Sequence, residues 1–199
     1  MATEQKIPVK VVVIGTGGVG KTSLITYYMY KEFVEAYEPT KSDLYRQNVK
    51  FNSNEFDLNI IDTAGQESYA HIQDQTIRES SFAILVFSLT ERKSFEICTE
   101  LREFVQRVKD TDYPHLVLVG NKCDIVEEKP NLRAVSISEA QSLCEQWKAS
   151  YFETSAKTGL NVDNIFMSAI EYVSSTLVVT QEVASNKKSK KNKRKCNIL

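Results

Sequence analysis

Apolar residues along this chain alternate between two spacings. Nearly unbroken apolar runs stand at 11–14, 58–61, 82–87 and 116–119, and a strand-like segment at 151–154. Runs this short, rich in Val, Ile, Leu and Phe, predict strands buried on both faces, as the strands of a parallel sheet are. Between them the spacing lengthens to three and four. Leu24, Ile25, Tyr28 and Met29 fall on one helical face, as do Phe95, Cys98, Leu101, Val105 and Val108. The same holds for Ile137, Ala140, Leu143, Cys144 and Trp147, and for Val162, Ile165, Phe166, Ala169, Ile170 and Val173. These stripes predict helices whose apolar sides are core. Ser136 with Glu139 forms a capping box at the head of the third. Residues 45–51, followed by Asn52-Ser53-Asn54, read as a hairpin into the 58–61 strand, and a tight hairpin makes its two strands antiparallel. The pattern predicts an α/β fold: a six-stranded mixed sheet, five strands parallel and one antiparallel at the edge, flanked by helices.

Composition agrees with one domain. At 199 residues and 42% hydrophobic there is material for a single α/β core. No internal repeat is visible, and no run of 18 apolar residues predicts a membrane span. Residues 1–10 lack the apolar segment of a secretory signal, and Ala2 is not the glycine that myristoylation needs. Cys98, Cys123 and Cys144 show no paired spacing and read as core thiols, not as metal ligands or disulfides.

Charge divides the chain. The total is −1, yet Lys187, Lys188, Lys190, Lys191, Lys193, Arg194 and Lys195 put seven positive charges into nine residues, leaving the remainder near −8. A basic run alone reads as a solvated tail or a polynucleotide binder, and its composition favours disorder from about residue 180. Here it runs into Cys196-Asn197-Ile198-Leu199, a C-a-a-X ending whose leucine predicts geranylgeranylation of Cys196. A prenyl chain beside a polybasic run predicts anchoring to an anionic membrane, with no nucleic acid expected as partner.

Candidate chemistry sits at the ends of the predicted strands. Gly15-Thr16-Gly17-Gly18-Val19-Gly20-Lys21-Thr22 lies between the first strand and the first helix, so it predicts a phosphate-binding loop. Its glycines let successive backbone N–H groups turn inward around phosphate oxygens, and the new helix adds its positive end. Lys21 would reach the outer phosphates, and the Thr22 hydroxyl would ligate Mg2+, which prefers oxygen donors. Asn121-Lys122-Cys123-Asp124 follows the 116–119 strand, in the loop at its carboxyl end. A carboxylate only accepts, and guanine presents two adjacent donors that adenine lacks, so Asp124 would select guanine in a bidentate contact. The Lys122 stem would lie along the base. Ser155-Ala156-Lys157 would complete this pocket, with the Ala156 N–H facing the guanine oxygen. Asp62-Thr63-Ala64-Gly65-Gln66 follows the 58–61 strand. Asp62 would hold Mg2+ through a water, the Gly65 N–H would donate to the terminal phosphate, and Gln66 would orient the attacking water.

These four motifs, in this order, resemble the Ras superfamily of small GTPases over residues 10–173, and the tail matches as well. The segment Met29-Tyr30-Lys31-Glu32-Phe33-Val34-Glu35-Ala36-Tyr37-Glu38-Pro39-Thr40-Lys41-Ser42-Asp43 is most similar to the Ral branch. Ras and Rap proteins carry Ile-Glu-Asp in place of Lys41-Ser42-Asp43, and Glu145-Gln146-Trp147 is also Ral-like. Two features depart from the branch: 126–135 is longer than the usual loop, and the terminal box has one cysteine where Ral proteins have two.

The resemblance implies a GTP/GDP site that includes Ser23 beside the phosphate loop, with Phe33 edge-on to the guanine and Tyr37 over the phosphates. Thr40 would ligate Mg2+ only with GTP bound, and Lys21, Thr40, Gly65 and Gln66 would form the catalytic set. Two switch segments, 34–43 and 65–76, would be ordered by the terminal phosphate and would bind effectors. An exchange factor and an activating protein that inserts an arginine would control the cycle. The domains implied are an extension at 1–9, a G domain at 10–178 and a flexible polybasic tail at 179–199, on the cytoplasmic face of the plasma membrane or an endomembrane. Two other readings stay open on the residues alone: a binding module held in the GTP state by poor hydrolysis, and a phosphate-loop kinase or polynucleotide-stimulated NTPase.

Overall fold

A computed structural model of the chain describes residues 6–34, 43–64 and 74–193, the last stretch with side chains to 177. The strands are β1 Ile7–Ile14, β2 Asp43–Phe51, β3 Asn54–Asp62, β4 Phe82–Ser88, β5 Leu116–Asn121 and β6 Ser150–Thr154. They form one sheet in the order β2-β3-β1-β4-β5-β6. β1 lies parallel to β3 and β4, β4 to β5 and β5 to β6, while β2 runs antiparallel to β3. The expected five parallel strands and antiparallel edge strand are all present. The β2–β3 hairpin turns at Asn52, whose φ of 52° lies in the left-handed region that asparagine tolerates.

Helices α1 Lys21–Tyr30, α2 Asp74–Glu79, α3 Arg92–Lys109, α4 Cys123–Glu128, α5 Ile137–Trp147 and α6 Val162–Lys193 cover the two faces. Alternation along β1 divides the core. Val9, Val11 and Val13 pack with Leu24 and Ile25 of α1 and Phe166 and Ile170 of α6. Val12 and Ile14 face the other way, toward Ile77 of α2, Phe95 and Val105 of α3, and Ala140 and Trp147 of α5. All seven residues of β4 are buried, as a central strand covered on both sides must be. Phe166 is fully buried and its ring stacks on Tyr28 at 4.3 Å, which fixes α6 against α1.

The elements depart from the sequence pattern in four places. α2 and α4 were not expected, because six residues are too few to display a helical period. Ile137, assigned to the core stripe of its helix, is 48% exposed, since it opens α5 before the helix turns its apolar side inward at Ala140. The capping box is present with a changed emphasis. Ser136 Oγ accepts the Glu139 N–H at 3.2 Å, but the Glu139 carboxylate is held chiefly by Arg92, at 2.6 Å. Finally, helical backbone runs on from the 162–173 stripe to Lys193, through a stretch free of proline and glycine.

Candidate functional site

The order of the sheet creates the site. From β1 the chain goes to one side through β3 and to the other through β4, and ligands of open α/β sheets bind outside the carboxyl ends of strands at such a reversal. The loop from Gly15 to Gly20 leaves β1 there. A Cβ on Gly15 would fall deep inside the Val86 carbonyl oxygen, so the loop can pass over β4 only with glycine. Gly20, at φ 97°, precedes α1 with no side-chain cap, leaving the first N–H groups of the helix to a ligand. Gly17 and Gly18 are exposed at the tip, Thr16 is half-buried and Val19 is buried beneath. Ser23, half-buried, belongs to the first turn of α1.

Lys21 is buried and its Nζ donates to the carbonyls of Gly15 and Thr16, each at 2.9 Å. Burial pulls its pKa down to about 8, against the opposing charge of Asp62. An ammonium already stripped of water and folded over the loop is poised for phosphate oxygens. Thr22 Oγ1 donates to Asp62 Oδ2 at 2.6 Å, and Asp62 is fully buried at the end of β3. Burial raises the Asp62 carboxyl above its usual range, opposed by the Thr22 bond and by Lys21. Its other oxygen, Oδ1, is buried with no hydrogen-bond partner among the described residues. A buried carboxylate oxygen without a donor, beside a hydroxyl, fits a hard divalent cation that takes oxygen ligands. The donor set suits Mg2+, with Thr22 and Asp62 as its protein side.

On the base side, Asp124 lies in the first turn of α4, not in an open loop as expected. Ser155 Oγ donates to Asp124 Oδ1 at 2.7 Å and accepts the N–H groups of Lys157 and Thr158 at 3.2 and 3.1 Å. Ser155 thus aims the carboxylate and closes the turn that carries Ala156, which is buried, and Lys157, which is exposed. Lys122 holds a left-handed φ of 69° and is half-buried, with its pKa lowered by burial.

Asn121, in the base-reading motif, also makes contacts of its own within the protein. It is 2% exposed, its Nδ2 donates to the Val19 carbonyl at 2.9 Å, and its Oδ1 accepts from Thr154 Oγ1 at 3.2 Å. The side chain ties the phosphate loop to β6 and so fixes the spacing of phosphate and base sites. Thr63, unremarked in the sequence, does similar work where β3 ends: its Oγ1 donates to the Val13 carbonyl at 2.8 Å. Each is a buried polar residue of a motif, at the end of a buried strand, and that placement is the signal that marks its contact with a neighbouring strand or loop. Phe33, expected against the guanine, is 39% exposed. Tyr37, Thr40, Gly65, Gln66 and Cys196 lie outside the described residues, as does most of both switch segments.

The comparisons with known proteins agree with this arrangement. The model of the family described as "Ras family" matches residues 10–175. The Ras-related protein O-RAL of Diplobatis ommata is 45% identical over 195 residues, covering 96% of this chain and 93% of that protein. The Ras-related protein Ral-a of Drosophila melanogaster is 42% identical over 193 residues, covering 96% and 94%. The Ras-related protein Ral-B of Mus musculus is 43% identical over 186 residues, covering 93% and 88%.

Proposed function

This chain belongs to the Ras family of small GTPases, in its Ral branch, and we propose that it is a membrane-anchored, Mg2+-dependent switch that recruits effectors in its GTP state. The observation that carries the reading is the pairing of two halves along the carboxyl ends of β1, β3, β5 and β6: a buried Lys21 and Thr22–Asp62 pair for phosphate and metal, and a Ser155-aimed Asp124 for guanine. Asn121 joins them.

In this reading Lys21 exchanges its loop carbonyls for the outer phosphates, gaining a charged partner in a water-poor site. Thr22 and Asp62 would hold Mg2+, which when bound neutralises phosphate charge. Asp124 accepts the two guanine donors while the Lys122 stem covers the base face. Gln66 orients water in line with the terminal phosphate, and Gly65 and Thr40 report that phosphate to the switch segments 65–76 and 34–43. Hydrolysis here depends on positioning and electrostatics, so intrinsic turnover is slow and an activating protein that supplies an arginine accelerates it. The segment Lys41-Ser42-Asp43 directs effector choice, and an exchange factor reloads the site. Cys196, prenylated, and the basic run hold the protein on a cytoplasmic membrane surface, with 179–199 as a tail distinct from the G domain.

Single-turnover hydrolysis tests this. The wild type should prefer guanine nucleotide over ATP and hydrolyse it slowly, Gln66→Leu should abolish the turnover while still binding GTP, and Asp124→Asn should lose the guanine preference. Selective binding with no wild-type turnover over hours would overturn the switch and leave a GTP-locked binding module.

A further inference from the structure

One contact joins the helix of the phosphate loop to the turn of the base pocket. Gly159 follows Ser155-Ala156-Lys157-Thr158 and holds φ at +82°, where any side chain is strained. Space is closed there as well. A Cβ on Gly159 would overlap the hydroxyl oxygen, Cζ and Cε1 of Tyr27, so the phenol ring lies directly on the glycine backbone. Tyr27 comes from the second turn of α1 and is half-buried. Its position is held from the other side. Lys31 Nζ stands 5.5 Å from its ring centroid and forms an ion pair with Asp163 of α6, while the Lys31 N–H donates to the Tyr27 carbonyl at 2.8 Å. The neighbouring Tyr28–Phe166 stack keeps α1 from sliding along α6.

From Gly159 the path to the base pocket is short. Its N–H donates to the Ser155 carbonyl at 2.8 Å, and the Ser155 N–H donates to Leu160 at 3.2 Å. Ser155 in turn aims Asp124. A shift of the 159 backbone therefore moves the residue that orients the carboxylate and the turn that bears the Ala156 N–H.

We propose that Tyr27 is a positioning residue of the guanine pocket: its ring, seated in the notch left by Gly159, holds the 155–159 turn against α1 and sets how long guanine nucleotide stays bound. This deepens, and rests on, the guanine-site reading above. It also gives the two halves of the site a second link besides Asn121. α1 begins at Lys21, so a partner that pulls the phosphate loop drags Tyr27 off Gly159 and loosens the base in the same motion.

The test uses the full chain loaded with a fluorescent GDP analogue and chased with excess GDP, comparing wild type, Tyr27→Ala, Gly159→Ala and the double variant. Each single change should speed release about tenfold, the scale of coupling between residues in contact. In the Tyr27→Ala background, Gly159→Ala should add only the few-fold effect of backbone strain. Affinity for GDP over inosine diphosphate, which lacks the exocyclic amine Asp124 would read, should fall in Tyr27→Ala. Should Gly159→Ala prevent folding, the release rate and base preference of Tyr27→Ala decide alone. Wild-type release from Tyr27→Ala, or an equal effect of Gly159→Ala in both backgrounds, overturns the inference while leaving the guanine site intact. A wild type without guanine preference overturns both.

Discussion

Ser155 takes one lone pair of Asp124 Oδ1 and fixes the plane of the carboxylate, so a substitution at Asp124 that preserves shape isolates the chemistry. Asn in that place still accepts from Ser155 but offers guanine one acceptor and one donor where two acceptors stood. Hydrogen bonds to a charged group contribute about 1.5–3 kcal/mol each, so the loss of one in Asp124→Asn should weaken GDP binding by at least about tenfold. Xanthine nucleotide, which presents a carbonyl where guanine has its amine, should gain by the same exchange. Equilibrium titration with both bases checks this, and an unaltered guanine preference would contradict the role of Asp124. A second residue-scale prediction concerns His115, whose ring stacks on Tyr172 at 3.8 Å. Its pKa is lowered, first by desolvation and then by the charge of Lys109. The folded protein thus binds this proton less readily than the unfolded chain. The stability linked to His115 is complete above the unfolded value of about 6.5 and is lost as pH falls through the lower folded value. An NMR titration of the folded protein should give a His115 midpoint below about 6.5, and one at or above it would contradict the desolvation of His115 and the influence of the Lys109 charge.

At the scale of elements, the segment 126–135 shows how a stretch without sequence period is held. It is folded: α4 ends at Glu128, a 3-10 turn covers Pro130–Leu132, Ala134 donates to the Leu89 carbonyl at 2.8 Å, and Val135 is buried. Arg133 closes the segment onto β6 with two bonds to Glu153, 2.6 and 2.9 Å, the side chains being 27% and 19% exposed. Partial exposure discounts the pair below a fully buried one, so Arg133→Ala should cost about 1–2 kcal/mol, read as a lower urea midpoint. Lys at 133 should restore little, since it cannot make the forked contact. Hydrogen exchange at Ala134 should quicken in the same variant. An unchanged midpoint and unchanged protection would show that the segment is held by Val135 alone. None of this was legible beforehand, because 126–135 carries neither period. The parallel strands and long helices were legible, since burial on two faces writes apolar runs and burial on one face writes a stripe. In the candidate site, the motifs that carry Lys21, Thr22, Asp62 and Asp124 could be read from the sequence, whereas the bonds that hold these side chains, from the Gly15 carbonyl to Ser155 Oγ, could not. The contacts of Asn121 with Val19 and Thr154, and of Tyr27 with Gly159, were not legible, because a contact between distant segments leaves no spacing to read.

On the scale of the whole molecule the dominant asymmetry is electrostatic. The sequence sets seven positive charges in its final stretch against a remainder near −8. Among the described residues no helix is long and apolar enough to cross a membrane, and the anchor proposed above rests on surface attraction and Cys196. An acidic body is repelled by an anionic leaflet, but over a Debye length of about 8 Å at physiological salt that repulsion stays local. A basic segment lying at the surface gains about 1 kcal/mol per charge, and a single lipid chain binds only reversibly. Neither signal alone is sufficient, and the two respond differently to salt. We therefore expect the lipid-modified protein to bind vesicles containing anionic lipid with an affinity that falls as salt rises. Replacing the seven basic residues by Gln should leave weak, salt-insensitive binding through the lipid, whereas Cys196→Ser should leave weak, salt-sensitive binding through the charges. Sedimentation of each form with vesicles across a salt series separates the contributions. Undiminished binding of Cys196→Ser would show that charge suffices and that the terminal box has no part in holding the switch at its membrane.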